Sequence, residues 1–162
     1  MKKEDFDCVQ DISAYTRDDV QPLFDAFKGR IGHYIFAGST VIYADTKVTV
    51  TASRFVGNRS YTQGGAIALG YGVATIKSST FADNASDSYG GAMAAYGTVK
   101  VTGSSFTGNH ATYGGAIDGS VLTVRTSAFT GNSAGILAGA IYAESVYGSD
   151  TNVITGTTFT DN

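Results

Sequence analysis

The sequence predicts an all-β fold, a right-handed single-stranded parallel β-helix of about five to six coils with a short N-terminal capping α-helix. Two motifs and one alternation predict it. A Phe-x-x-Asn core recurs at Phe55 to Asn58, Phe81 to Asn84, Phe106 to Asn109, Phe129 to Asn132 and Phe159 to Asn162, in steps of 26, 25, 23 and 30 residues. A second motif keeps step with it: Gly64-Gly65-Ala66-Ile67, Gly90-Gly91-Ala92-Met93, Gly114-Gly115-Ala116-Ile117 and the variant Ala138-Gly139-Ala140-Ile141. The residues ahead of each Phe alternate, with Val48 and Val50, Ala74 and Ile76, Val99 and Val101, and Leu122 and Val124 set between Thr, Lys and Arg. That period of two belongs to strands buried on one side.

From the N-terminus, residues 1–30 read as a tail and a capping helix, and residues 31–162 as the repeats. Val20, Leu23, Phe24 and Phe27 fall on one helical face, with Thr16 as N-cap, Asp18 and Asp19 in the first turn and Gly29 after the last. Pro22 sits near the first turn, where it costs least. Such a helix covers the open apolar end of a solenoid. His33 to Asp45 reads as a first irregular coil.

Each repeat then supplies a strand, a bend at the Phe motif, the Gly-Gly-Ala-Ile strand and a further turn. Stacking equivalent positions puts like on like. Phe55, Phe81, Phe106, Phe129 and Phe159 are expected to form an internal aromatic stack. Asn58, Asn84, Asn109, Asn132 and Asn162 form a corner ladder, and Ser53, Ser79, Ser104, Ser127 and Thr157 a second column. The array reaches Asn162 in mid-coil. The expectation is either a longer array or a bare coil that pairs with a second copy, a homo-oligomer through the C-terminal coil.

Composition narrows the function. Glycine is abundant, 21 residues to a single Pro, but has no three-residue period, which excludes collagen. Hydrophobic residues make up 43%, enough for a core. A net charge of −3 does not favour a nucleic-acid partner. One cysteine, Cys8, rules out an intrachain disulfide, and no run is apolar enough for a membrane span. Met1 to Asp5 has no apolar stretch after it and does not read as a signal peptide.

Candidate chemistry is sparse. Lys77, Lys100 and Arg125 lie outward on consecutive coils and read as a basic strip able to hold a polyanion such as an acidic glycan. Tyr71, Tyr96 and Tyr147 each precede a Gly after the Gly-Ala strand, and Tyr89 and Tyr113 precede the Gly pair. Tyrosine suits protein and sugar contacts, and it also shields turn backbone. Asp83 reads as a turn residue, since Gly57, Gly108 and Gly131 take its place in other coils. Asp118, where other coils have Ala68 and Ala94, is the oddest carboxylate. Asp83, Asp87 and Asp118 are the carboxylates a catalytic reading would use. His33 and His110 stand on different coils without ligand spacing, and Cys8 falls in the tail with no base nearby. No metal or cofactor is expected.

The paired motif, Gly-Gly-Ala-Ile with Phe-x-x-Asn over about residues 48 to 162, resembles the polymorphic outer-membrane protein repeat family, best known from chlamydial autotransporter adhesins. The resemblance implies a β-helical passenger displayed outside the cell that attaches to other surfaces. Ala138-Gly139 departs from the Gly pair, and no signal sequence or translocating barrel is recognised in these residues. The expected function is a non-enzymatic, adhesin-like surface module with a protein or glycan ligand. The alternative is a polysaccharide lyase-like or epimerase-like enzyme or an acidic-glycan binder. The expected location is extracellular or cell-surface for a segment of a longer exported chain, and cytoplasmic for a complete reading frame.

Overall fold

The computed structural model describes residues 6–11, 31–36, 40–42, 47–144 and 151–162, with side chains in the last two stretches. The expected capping helix and Tyr147 lie outside the described residues, and no helix occurs among them. The chain divides into two units, Met1–Gly38 and Ser39–Asn162.

In the first unit, β1 (Phe6–Asp11) and β2 (Ile31–Phe36) pair in parallel, from Phe6 opposite Ile31 to Asp11 opposite Phe36. Two expectations are corrected here. Cys8 lies in a strand opposite His33, not in a tail. The stretch read as an irregular first coil is split, because Ile31 to Phe36, rich in aromatic and β-branched residues, finds its edge on β1. In the second unit, β3 (Thr40–Ile42) stacks on the repeats, with Thr40 opposite Ile67.

The second unit is a parallel β-solenoid. The first coil holds β4 (Lys47–Thr51), β5 (Arg54–Val56), β6 (Arg59–Ser60) and β7 (Ile67–Leu69). The second holds β8 (Val73–Lys77), β9 (Thr80–Ala82), β10 (Ala85–Ser86) and the start of β11 (Met93–Thr102). The third runs from the end of β11 through β12 (Ser105–Thr107) and β13 (His110–Tyr113) into β14 (Ile117–Arg125). The fourth continues through β15 (Ala128–Thr130), β16 (Ser133–Leu137) and β17 (Ile141–Ala143), and β18 (Val153–Thr155) and β19 (Thr158–Thr160) lie over it. This makes about four turns. The repeat count suggested more, because β3 and the last Phe motif belong to partial coils.

Every pairing is parallel and links equivalent positions of neighbouring coils. The result is three sheets: eight strands carrying the Gly-Ala segments and the strands ahead of each Phe, five carrying the Phe motif, and four after the Asn. We call them the long, Phe and short sheets. The Phe strands are three residues long because a left-handed residue ends the chain's extension on each side. Ala52, Ser78, Gly103, Thr126 and Gly156 turn the corner before them, with φ from 45 to 59°. Gly57, Asp83, Gly108, Gly131 and Asp161 turn the corner after, with φ from 52 to 67°.

The core is a set of columns. Phe81, Phe106 and Phe129 are fully buried, against Ile76, Val99, Val101, Leu122 and Val124 from the long sheet and Ile67, Met93 and Ile117 from the Gly-Ala strands. The five Phe rings stack at 4.8, 4.7, 4.7 and 5.1 Å. The rise between strands sets that separation.

The corner columns satisfy the backbone that bends there. The Asn84 Nδ2 donates to Asn109 Oδ1 in the coil above, 2.9 Å, and to the Phe55 carbonyl in the coil below, 3.1 Å. Its backbone N–H donates to the same Asn109 oxygen, 3.0 Å. Asn58, Asn109, Asn132 and Asn162 continue the chain of bonds. At the other corner, Ser79 Oγ donates to the Lys77 carbonyl, 2.8 Å, and accepts from the Ser53 N–H, 3.1 Å. Ser104, Ser127 and Thr157 repeat it.

Candidate binding faces

The Phe and Asn columns are spent on the fold. Asn84, Asn109 and Asn132 are at most 1% exposed, and each amide finds partners within the ladder. Only Phe159 and Asn162, on the last coil, are exposed. Along the described coils, what a ligand meets away from the last coil is the outward side chains between the columns.

The cations form a different figure from the strip read in the sequence. Register pairs Thr102 with both Lys77 and Arg125, so Lys77 and Arg125 share one column with a threonine between them. Lys100 pairs with Thr75 and Thr123 and belongs to the neighbouring column. The three make a triangle, because Lys100 precedes its Phe by six residues while Lys77 and Arg125 precede theirs by four. All three are exposed.

The tyrosines fall in two rows flanking the Gly-Ala strands. Tyr71 and Tyr96 lie at their ends, with ring centroids 5.9 Å apart. Tyr89 and Tyr113 lie at their beginnings, 5.2 Å apart and stacked, and Tyr113 reaches Tyr142 at 6.0 Å. Between the rows runs the outward column Ala68, Ala94, Asp118 and Tyr142. Ala68 and Ala94 stand apart from the core cluster yet are only 3% and 5% exposed. Side chains must close over them, and the Gln63 Nε2 donates across to the Tyr96 hydroxyl. The alanine part of this column thus lies covered between the two tyrosine rows. The motifs place the tyrosines but give Gln63 no role, because its partner Tyr96 belongs to the next coil.

Asp118 sits in register with Ala94 on one side and Tyr142 on the other. Partial burial pushes its carboxyl up to about 7, and the Glu144 charge adds to the rise. The Tyr142 hydroxyl, which donates to Glu144 Oε2 at 3.5 Å, is raised too, first by desolvation and then by the Glu144 and Asp118 charges. While it keeps its proton, this carboxyl can donate as well as accept.

The remaining candidates are placed as follows. Asp83 takes a left-handed turn, φ 54°, between glycines of other coils, which Asp tolerates. Asp87 is paired with Arg59, 2.5 Å, on the short sheet. His110 Nδ1 lies 3.0 Å from Ser133 Oγ, exposed. Among the described residues no three His, Cys, Asp or Glu side chains are placed to hold a metal ion, and no helix is long and apolar enough to cross a membrane.

No curated protein and no solved structure gives a significant match to the chain. The family model of the Chlamydia polymorphic membrane protein repeat matches residues 103–120. That segment is the third coil from its corner glycine to the end of its Gly-Gly-Ala-Ile strand, and it holds Phe106, Asn109 and Gly114 to Ile117. Residues 103–120 are thus similar to the Chlamydia polymorphic membrane protein repeat, and the same motif positions stand in register in the coils on either side of them.

Proposed function

We propose that this chain is a non-enzymatic surface module that binds a protein or glycan in an adhesin-like manner through the outward side chains of its coils. One observation carries the reading. Columns that hold the fold repeat one residue type from coil to coil, while outward columns change: Thr51, Lys77, Thr102, Arg125 and Thr155 in one, Ala68, Ala94, Asp118 and Tyr142 in another. A rigid scaffold with a variable surface suits display. The half-exposed Tyr71 and Tyr96 are the contact residues this reading favours. The test is attachment of chain-coated beads to cultured cells. Tyr71→Ser with Tyr96→Ser is expected to reduce it by about half or more. Attachment no better than that of albumin-coated beads overturns the reading.

Self-association through the last coil belongs to the same proposal. Ile154 and Phe159, which continue inward columns, are 44% and 46% exposed there. A mass by sedimentation that stays monomeric as concentration rises removes this part.

A second reading, a polysaccharide-active enzyme, draws on the Asp118, Tyr142 and Glu144 group. It predicts unsaturated or epimerised products from pectin or alginate, abolished by Asp118→Ala. No turnover on either polymer removes it.

A further inference from the structure

Charge on the solenoid is sorted by face. The chain is net −3, yet the stretches 47–51, 73–77, 98–102 and 121–125, which lead into the corner before each Phe, carry Lys47, Lys77, Lys100 and Arg125 and no carboxylate. In the solenoid, the described carboxylates Asp83, Asp87, Glu144 and Asp161 stand on other strands, corners and turns, and Asp118 lies at the far end of β14 from Arg125, among the Gly-Ala segments. Strand alternation turns the four cations outward, since Val48, Ile76, Val99, Val101 and Val124 beside them pack into or against the core.

This face ends in a groove. The corner between the long and Phe sheets holds a concavity of about 490 Å³ across four successive turns. Its lining is hydroxyl-bearing, with Ser78, Thr80, Ser105, Thr126 and Thr158. The inward Ser column draws the corner in, and Gly103 and Gly156, alternating with Ser78 and Thr126, leave notches where a side chain would stand. Lys77 and Arg125 immediately precede lining residues and so mark one rim, two coils or about 10 Å apart. Arg125 Nη1 donates to Thr155 Oγ1, 3.2 Å, which holds the guanidinium along that rim. Arg54, exposed and in register with Thr80, stands in the coil before the groove, at its end.

We infer that this groove binds a linear acidic polysaccharide laid along the solenoid axis. Its sulfate or carboxylate groups meet Lys77 and Arg125, and its hydroxyls meet the Ser and Thr lining. Each element has a chemical reason. Hydroxyl side chains both donate and accept, as sugar hydroxyls do. Lys and Arg make charge-assisted bonds to anionic oxygens. Two cations separated by two coils suit a polymer whose charges recur along its length. No aromatic ring lines the groove, so unpaired bases find no stacking platform, which favours a glycan over a nucleic acid. The proposal names a ligand for the display module above and rests on that reading.

The test is binding of the purified chain to heparin and to polygalacturonate at about 50 mM salt, with dextran as the uncharged polymer and a thymidine oligonucleotide as a non-glycan polyanion. The two acidic polymers separate sulfate from carboxylate recognition. Binding to at least one is expected, with none to dextran and about tenfold weaker binding to the oligonucleotide. Lys77→Ala with Arg125→Ala is expected to weaken glycan binding about tenfold or more. Ser105→Leu, which fills the groove and alters no cation or ladder residue, is expected to weaken it similarly with circular dichroism and melting unchanged. Thr80→Leu serves the same purpose should Ser105→Leu perturb folding. Glycan binding untouched by groove filling, or oligonucleotide binding of equal strength, reduces the effect to general charge attraction and overturns the proposal. Absence of glycan binding while bead attachment persists overturns the ligand and leaves the display reading standing.

Discussion

Ala138 adopts φ 61° at the position where earlier coils place Gly64, Gly90 and Gly114, with φ from 54 to 61°. A left-handed conformation costs an L-residue about 1 kcal/mol that glycine does not pay. Ala138→Gly is therefore expected to stabilise the fourth coil by about 1 kcal/mol, seen as a higher thermal midpoint. The reverse change at Gly114 fails for an added reason. A Cβ there meets the carbonyl oxygen of Ile117 and the Tyr142 side chain. Asp118 makes a second prediction at this scale. Its carboxyl titrates at about 7 in the folded chain against 3.8 in the free side chain. The folded state thus holds the extra proton between those values, and stability falls as pH rises through that window and levels off above it. Asp118→Asn is expected to melt like the parent near pH 4. Near pH 8 it should be more stable by about 1–2 kcal/mol, a figure discounted because the carboxyl is partly open to water. Equal midpoints at both pH values would contradict the shift.

At the scale of the element, the Asn ladder is a continuous object, and cutting it in the middle should differ from cutting it at the end. Asn109→Ala leaves the Asn84 N–H and the Phe81 carbonyl without their side-chain partner. Both are interior, so the expected loss is about 3 kcal/mol. Asn162→Ala removes the equivalent partner of the Asn132 N–H and the Phe129 carbonyl, but at the exposed last coil where water replaces it, so about 1 kcal/mol is expected. Thermal or denaturant unfolding of the two variants measures the difference. This element was legible in the sequence because a column makes one chemical demand in every coil and the chain answers with the same residue. The cation figure was misread for the same reason in reverse. Outward positions carry no shared demand, so a shift from six to four residues before the Phe leaves no trace in composition, and only register reveals it. The tyrosine rows and the hydroxyl groove arise from side chains on different coils and corners. No single stretch of sequence contains either of them.

Over the whole molecule, stability passes from coil to coil, because each coil buries its apolar side only against its neighbours. Phe106 lies between Phe81 and Phe129, fully buried, whereas Phe159 stacks on Phe129 alone and is 46% exposed. Phe106→Ala removes a ring that two coils share and opens a void inside the stack, which should cost about 3–5 kcal/mol. Phe159→Ala gives up one contact beside solvent, and about 1 kcal/mol is expected. The same asymmetry predicts the pattern of hydrogen exchange. The amides of Phe81, Phe106 and Phe129 should exchange slowest, and those of Phe55 and Phe159 faster, since among the described strands the first and last Phe strands are each paired on one side. Phe106→Ala should then speed exchange in the adjoining coils as well as its own, because the loss is felt through both shared faces. If exchange rises only at the substituted coil, the coils are independent units. In that case a ligand laid across four turns gains nothing from the scaffold's rigidity.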